Sequence, residues 1–423
     1  MAQTVAKYTK MVYNSSRIGN DTFFGLERTG NISFMNVKNQ RIYADNAATT
    51  PVSKEVLEAM MPCFTDMWGN PSSLHEDGQR AKELLDAARA SIADALGCES
   101  NELYFTSCGS ESNNWAIKGA AHVAKNRRKI VTSKIEHPAV LQTCEALARE
   151  GFEIVYVDVD EKGIVNVDQL RAVVDENTAV VAIMMANNEI GTLQPIREIA
   201  EIAHEMGALM FTDAVQAVGN VSVNVKELGV DMLSFSGHKI HAPKGIGGLY
   251  VRKGVRLRNL IDGGGQEKGR RGGTENVAYI CGLAKAVECA VSGLAEMDKV
   301  RALRDRLMDG LLSIPHTRLN GDRDMRLPGN VNVSFEYVEG ESLLLWLDMN
   351  GISASTGSAC SSKSLEPSHV LLAIGVPVEQ AHGSLRFSLS SENTEEEVDR
   401  IIETVTEVVE KLRAMSPIYP GNE

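Results

Sequence analysis

Between about residue 50 and residue 290, short β-branched and apolar runs alternate with stretches whose apolar residues recur at helical spacing. This is the pattern of a parallel sheet with crossover helices. The predicted strands are Leu103 to Thr106, Lys129 to Thr132, Glu153 to Val157, Ala179 to Met185, Ala208 to Phe211, Met232 to Phe235 and Gly248 to Val251. The segment SSLHEDGQRAKELLDAARASIADALG fits a helix, with Gly97 as its stop. After about residue 295 the rhythm changes to helix, strand VNVSF, helix ESLLLWLDMN, strand, loop, strand SLRFSL and a terminal helix. Thr394 and Glu397 form a capping box ahead of that last helix, IIETVTEVVEKL. The division expected is a disordered N-terminal extension over residues 1–40, a large α/β domain over 41–295 and a smaller α+β domain over 296–423. The first residues after 41 are expected to pack with the small domain.

A chain of 423 residues exceeds the size at which single cores stop growing, which agrees with two domains. Its 43% hydrophobic and 23% charged content is that of an ordinary globular protein. A net charge of -13 argues against nucleic acid as a partner, because a phosphate backbone demands clustered Lys and Arg. No apolar run approaches the roughly 20 residues that span a bilayer, so no membrane association is expected. The seven cysteines, at 63, 98, 108, 144, 281, 289 and 360, show no CxxC spacing. Neither a disulfide framework nor a zinc site is expected, and such usage suits a reducing cytoplasm. No apolar h-region marks the first 40 residues as a secretory signal.

In open α/β sheets ligands bind beyond the carboxyl ends of the strands, so the residues following each run hold the candidate chemistry. After LYFT comes SCGSESNN, whose backbone amides near Gly109 and Ser110 suit a phosphate at a helix N-terminus or an ordinary cap. After KIVTS comes KIEHPAV, where His137 can stack on a planar cofactor, move protons or simply be solvated. NNEIG brings Asn187, Asn188 and Glu189, types that also favour turns. FTDAVQA brings Asp213 and Gln216, and SFSGHK brings Ser236, His238 and Lys239. The pairing of Asp213 with Lys239 points to pyridoxal phosphate. That cofactor needs an amine to hold its aldehyde as a Schiff base and a carboxylate to keep its ring nitrogen protonated. The glycine-rich GGGQEKGRRGGTEN carries Arg270, Arg271 and Thr274, as a surface loop or as one that reaches a neighbouring subunit's phosphate site. Cys360 lies in ISASTGSACSSKS, whose polar residues fit poorly with an inert core cysteine.

With these residues assembled, the chain from about 41 to 413 resembles the cysteine desulfurases of the NifS/IscS family, class-V aminotransferase-like enzymes of fold type I. The resemblance rests on YADNAATTP, ESNN, EHPAV, NNEIG, TDAVQ, SGHKIHAPKG, GRRGGTEN, TGSACSSKSLEPSHV and SLRFSLS. It implies an α/β fold with a mainly parallel seven-stranded sheet in the large domain and a smaller α+β domain. It also implies that Lys239 holds pyridoxal 5'-phosphate, Asp213 pairs with the pyridine nitrogen, Gln216 meets the phenolic oxygen and His137 stacks on the ring. Gly109, Ser110, Ser236 and His238 would bind phosphate with Thr274 from the other protomer of a homodimer. Asn188 and Arg386 would receive the substrate carboxylate, for which a planar guanidinium is well shaped.

The reaction so implied turns L-cysteine into L-alanine. Its sulfur is captured as a persulfide on Cys360 and passed to a sulfur acceptor or an iron–sulfur scaffold protein. No resident metal is expected, beyond transient ligation of a cluster by Cys360. The family commonly shows Gly-Ala-Thr where this chain has Cys108, Gly109 and Ser110, and Cys108 reads as a small packing residue. A selenocysteine lyase or another pyridoxal phosphate aminotransferase is the competing enzyme, the latter having no need for Cys360. A non-catalytic sulfur-carrier scaffold is the competitor of another class, and the presence of both Lys239 and Asp213 argues against it.

Overall fold

In the computed structural model, which describes residues 22–26, 32–36, 41–124, 126–356, 367–417 and 419–420, the seven predicted strands join in one sheet. They follow three short strands, β1 (Thr22–Leu26), β2 (Ile32–Asn36) and β3 (Ile42–Tyr43). The seven are β4 (Leu103–Thr106), β5 (Lys129–Ser133), β6 (Glu153–Val157), β7 (Thr178–Ala182), β8 (Leu209–Asp213), β9 (Met232–Ser236) and β10 (Gly247–Val251). Their spatial order is β4-β10-β9-β8-β7-β5-β6. All neighbours from β9 to β6 run parallel, while β10 is antiparallel to both β4 and β9.

Two reversals restore the direction of β4, so the carboxyl ends of β4, β5, β7, β8 and β9 open at one edge. Strands β4, β5, β7, β9 and β10 are buried along their whole length. A sheet covered on both faces therefore reads as continuous apolar runs rather than as alternation. The run predicted to continue as a strand to Met185 ends as β7 at Ala182, and the chain bends beyond it to carry Asn187, Asn188 and Glu189.

Helix Glu76–Leu96 starts four residues later than the pattern's Ser72, on a His75 cap, and stops at Gly97 in the left-handed conformation (φ 75°). Helix Val277–Gly293 packs against it and against helix Lys54–Met60. A Cβ at Gly282 would meet Met60 Sδ at 2.6 Å, so the glycine gives the Met60 side chain room against the helix. The stretch Val277–Leu312 is long and apolar enough by length and composition to cross a membrane, contrary to the sequence reading. Lys285 and Glu288 interrupt the run, which hid it. Ile280, Leu283, Ala286 and Val287 spend its apolar face in the core of the large sheet.

A second core is built by β11 (Thr317–Leu319), β12 (Asn330–Phe335) and β14 (Ser384–Ser388), an antiparallel sheet carrying helices Met297–Leu312, Gly340–Met349 and Glu395–Met415. Between β12 and β14 in sequence, β13 (Ile352–Ser353) pairs in parallel with β3, and this brings Ile42 and Ala44 into the second core. The Thr394 and Glu397 capping box opens the terminal helix. Part of the extension expected to be disordered forms a hairpin, since β1 and β2 pair antiparallel from Thr22↔Asn36 to Leu26↔Ile32. Their runs TFFGL and ISFMN are rich in β-favouring residues.

Candidate active site

The strand ends surround a cleft of about 430 Å³, which also takes a wall from the second core. Gly109, Ser110, His137, Asn188, Asp213, Gln216, Ser236, His238, Lys239 and Arg386 all line it. The Asp213 carboxylate, only 5% exposed, ends β8. Its Oδ2 accepts from Asn113 Nδ2 at 2.6 Å and its Oδ1 from the Val215 amide at 2.9 Å. Ser234 of β9 in turn donates to Asn113 Oδ1 at 2.5 Å, which fixes the amide's orientation. Lys239 follows β9 on a single 3-10 turn and points Nζ at the Ala47 and Ala48 carbonyls, 2.7 Å from each. Gln216 Nε2 donates to the same Ala47 carbonyl at 3.0 Å.

Helix Gly109–Val123 aims its N-terminus into the cleft, and its N-cap Cys108 offers no side-chain bond to the first turn. A Cβ at Gly109 would stand 2.7 Å from Val215 Cγ2, so glycine lets the helix end approach the Asp213 turn. Cys108 is half-buried on the cleft wall rather than sealed in a core, and Ser107 Oγ lies 3.7 Å from its sulfur. Ser236 Oγ is buried without a hydrogen-bond partner among the described residues. Buried hydroxyls are rarely left so, and an anion among these donors satisfies both it and the uncapped amides. With a carboxylate for a ring nitrogen and an amine for an aldehyde, the donor set fits pyridoxal phosphate.

His137 caps helix Pro138–Arg149 by accepting from the Ala139 amide at Nδ1, 3.1 Å. An amide can only donate, so the proton of the neutral ring sits on Nε2. Burial pushes this imidazole below its ordinary value, Asp213 opposes the shift, and Lys239 and His369 add to it. His238 is held lower still, at about 4, by burial and by Lys239 and Lys244.

Arg386, 3% exposed on β14, reaches across from the second core. It donates to the Asn188 carbonyl at 2.9 Å and to Asp45 Oδ1 at 3.0 Å, while its Nε is buried without a partner among the described residues. Burial raises Asp45 above the ordinary carboxylate range, against the pull of Arg386 and Lys239. Glu189 is buried beside it and pushed up to about 7, although Ser368 donates to it at 2.5 Å. Burial pushes Glu136 up to about 8, where Ser133 and the Met184 amide donate to its carboxyl.

Cys360 lies outside the described residues. Thr274 is exposed and does not line the cleft of its own chain. The stretch around it is pinned nonetheless, because Glu267 pairs with Arg89 at 2.6 Å and Arg271 donates to Glu111 at 2.9 Å. Sequence reasoning did not single out Asn113, Asp45 or His369. Their only signal was membership of ESNN, YADNAATTP and SLEPSHV.

Residues 42–401 match the family model described as aminotransferase class-V. The chain is 56% identical over 388 residues to a Methanosarcina thermophila protein named cysteine desulfurase IscS, across 91% of this chain and 96% of that one. A solved NifS-like protein superposes with a TM-score of 0.83 at 41% identity, covering 88% of this chain and 100% of the other. SspA in complex with cysteine superposes with a TM-score of 0.73 at 38% identity, covering 84% and 100%. Sequence match, shared fold and a cleft furnished with the family's own motifs agree, and the chain belongs to the class-V aminotransferase family, among its NifS/IscS-type cysteine desulfurases.

Proposed function

We propose that this chain converts L-cysteine to L-alanine and keeps the sulfur as a persulfide on Cys360. The observation that carries the reading is the meeting of the Lys239 amine and the buried Asp213 carboxylate in one cleft beneath a helix N-terminus. Pyridoxal 5'-phosphate, the cofactor of this enzyme class, supplies when bound an aldehyde for Lys239 and a ring that accepts electrons. Asp213, oriented by Asn113 and Val215, would pair with that ring's nitrogen, and Gln216 would serve its phenolic oxygen. Ser236, His238 and the amides of Gly109 and Ser110 take the phosphate charge. The partner's Thr274 adds a hydroxyl there, which suits its exposure and its distance from the cleft of its own chain.

Asn188 and Arg386 receive the substrate carboxylate, and the unpartnered Arg386 Nε is a donor in reserve for it. His137 presents its Nε2 proton to the cleft as stacking ring and donor. The Cys360 thiolate attacks the substrate sulfur. The carbon–sulfur bond breaks, a sulfur–sulfur bond forms, and one cysteine plus one thiol become one alanine plus one persulfide. Leu57, Met61, Phe64, Trp68 and Leu74 are exposed along one short stretch, which supports burial against a second copy in a homodimer. An iron–sulfur scaffold or a thiolation protein then accepts the sulfur. Incubation with L-cysteine and a reductant should give alanine and sulfide in equal amounts. Well-folded, cofactor-loaded protein that makes no alanine would refute the reading.

A further inference from the structure

Incoming cysteine arrives as an ammonium, and its nitrogen is no nucleophile until a proton has gone somewhere. The cleft holds few groups able to take it. Both oxygens of Asp213 are already hydrogen-bonded, and Glu189 accepts from Ser368. His137 has committed its Nδ1 lone pair to the Ala139 amide, and breaking that bond would uncap a helix. His238 is a weak base at about 4.

The remaining imidazole is His369, on the first turn of helix His369–Ala373. Its Nε2 lies 3.0 Å from the Glu136 backbone carbonyl. A carbonyl can only accept, so Nε2 carries the ring proton and Nδ1 keeps its lone pair. Among the described residues nothing donates to that atom. Burial lowers this imidazole below 6.5, so at neutral pH the ring is uncharged and able to accept. The same ring also borders an outer groove, where Lys134, Glu145 and Tyr156 are the ionisable neighbours; on the cleft side they are His137, Glu189, Asp213, His238, Lys239 and Arg386, with the Cys108 thiol. A ring that walls both the cleft and the outer groove can take a proton from one and give it to the other.

We infer that His369 is the proton acceptor for the substrate ammonium. The nitrogen–hydrogen bond breaks, its electron pair stays on the substrate nitrogen, and the proton bonds to Nδ1 to give an imidazolium of the same total charge. The outer groove then carries that proton to solvent. His137 and His369 thus divide the work, one donating and one accepting, because different backbone groups fix opposite ring atoms. The assignment rests on the desulfurase reading.

The test uses His369→Gln, whose amide can still donate to the Glu136 carbonyl but has no basic nitrogen. In holoenzyme, kcat/KM for L-cysteine should fall about 100-fold or more, the range of a lost acid–base group. The acid limb of the wild-type pH profile, lying below the ordinary imidazole range, should vanish in the variant while cofactor absorbance stays. Nitrogen NMR of the labelled wild-type protein, with and without cofactor, should show His369 protonated at Nε2 alone and charging at lower pH than an ordinary imidazole. A variant with wild-type rate and acid limb overturns the inference, as does an Nδ1-protonated tautomer. So does a His369→Ala defect fully repaired by His369→Gln, which would make the ring a strut. If wild type itself forms no alanine, the desulfurase reading fails, and the NMR still judges the tautomer.

Discussion

At the Asp213 end of the cleft, the contacts that hold the carboxylate stay within one core, from β8 to helix Gly109–Val123 to β9. At the Arg386 end one contact crosses between the cores, from β14 to the turn after β7, and others bring in Asp45 after β3 and the Ser368 cap, which donates to Glu189. The first end draws its carboxylate, amine and amide from the large sheet, with the Ala47 and Ala48 carbonyls accepting from Lys239 and Gln216. The second end exists only when both cores are correctly set, and its carboxyls Asp45 and Glu189 are raised toward neutrality by burial. One end is thus built to hold a cofactor still, and the other to respond to what enters.

The largest effect should come from the Asp213 end. Lys239→Ala should abolish alanine formation and leave the protein folded, because the amine is an exchangeable chemical group rather than a packing element. Retained turnover would show that this end is not where the chemistry starts. At the other end Arg386→Ala should lower kcat/KM for L-cysteine by about 10- to 100-fold, the worth of a charge-assisted hydrogen bond to carboxylate, chiefly through KM. It should also destabilise the fold, since Asp45 loses its partner. Ser368→Ala should have a smaller effect, a few-fold in rate and about 1 kcal/mol in stability, as Glu189 loses one donor. An Arg386→Ala variant with wild-type KM would erase the proposed contrast.

The smallest and most diffuse signature is in pH. Glu136 and Glu189 have folded values of about 8 and about 7, above the ordinary 4.5, so between these limits the folded protein holds protons that the unfolded chain has lost. Their contribution to stability is full below about 4.5 and declines as pH rises, to about 7 for Glu189 and about 8 for Glu136. Thermal midpoints measured across that window should fall with pH more steeply in wild type than in Glu189→Gln.

The same contrast explains what could be read without coordinates. Asp213 ends a strand and Lys239 and His137 follow one by a few residues, so local pattern plus one rule about strand ends finds them. The contacts of the other end bridge residues far apart in sequence, 179 positions for Ser368 and Glu189 and 233 for His369 and Glu136. No periodicity carries such information. The reversed direction of β10 was equally hidden, since an apolar run reads the same both ways, and the burial of helix Val277–Gly293 depends on helices far away in the chain. Asn113 was in view within ESNN. Its role emerged only when helix and β8 came together.

The central claim is that a lysine-held cofactor site works for a second thiol, and one measurement tests it directly. Cofactor-loaded protein is mixed with one equivalent of L-cysteine without reductant, and alanine is counted against sulfur atoms gained at Cys360 by peptide mass spectrometry. Equal amounts are expected, with Cys360→Ala giving neither product while keeping the cofactor's visible absorbance. Alanine without added sulfur on Cys360, or full turnover in Cys360→Ala, would contradict the account.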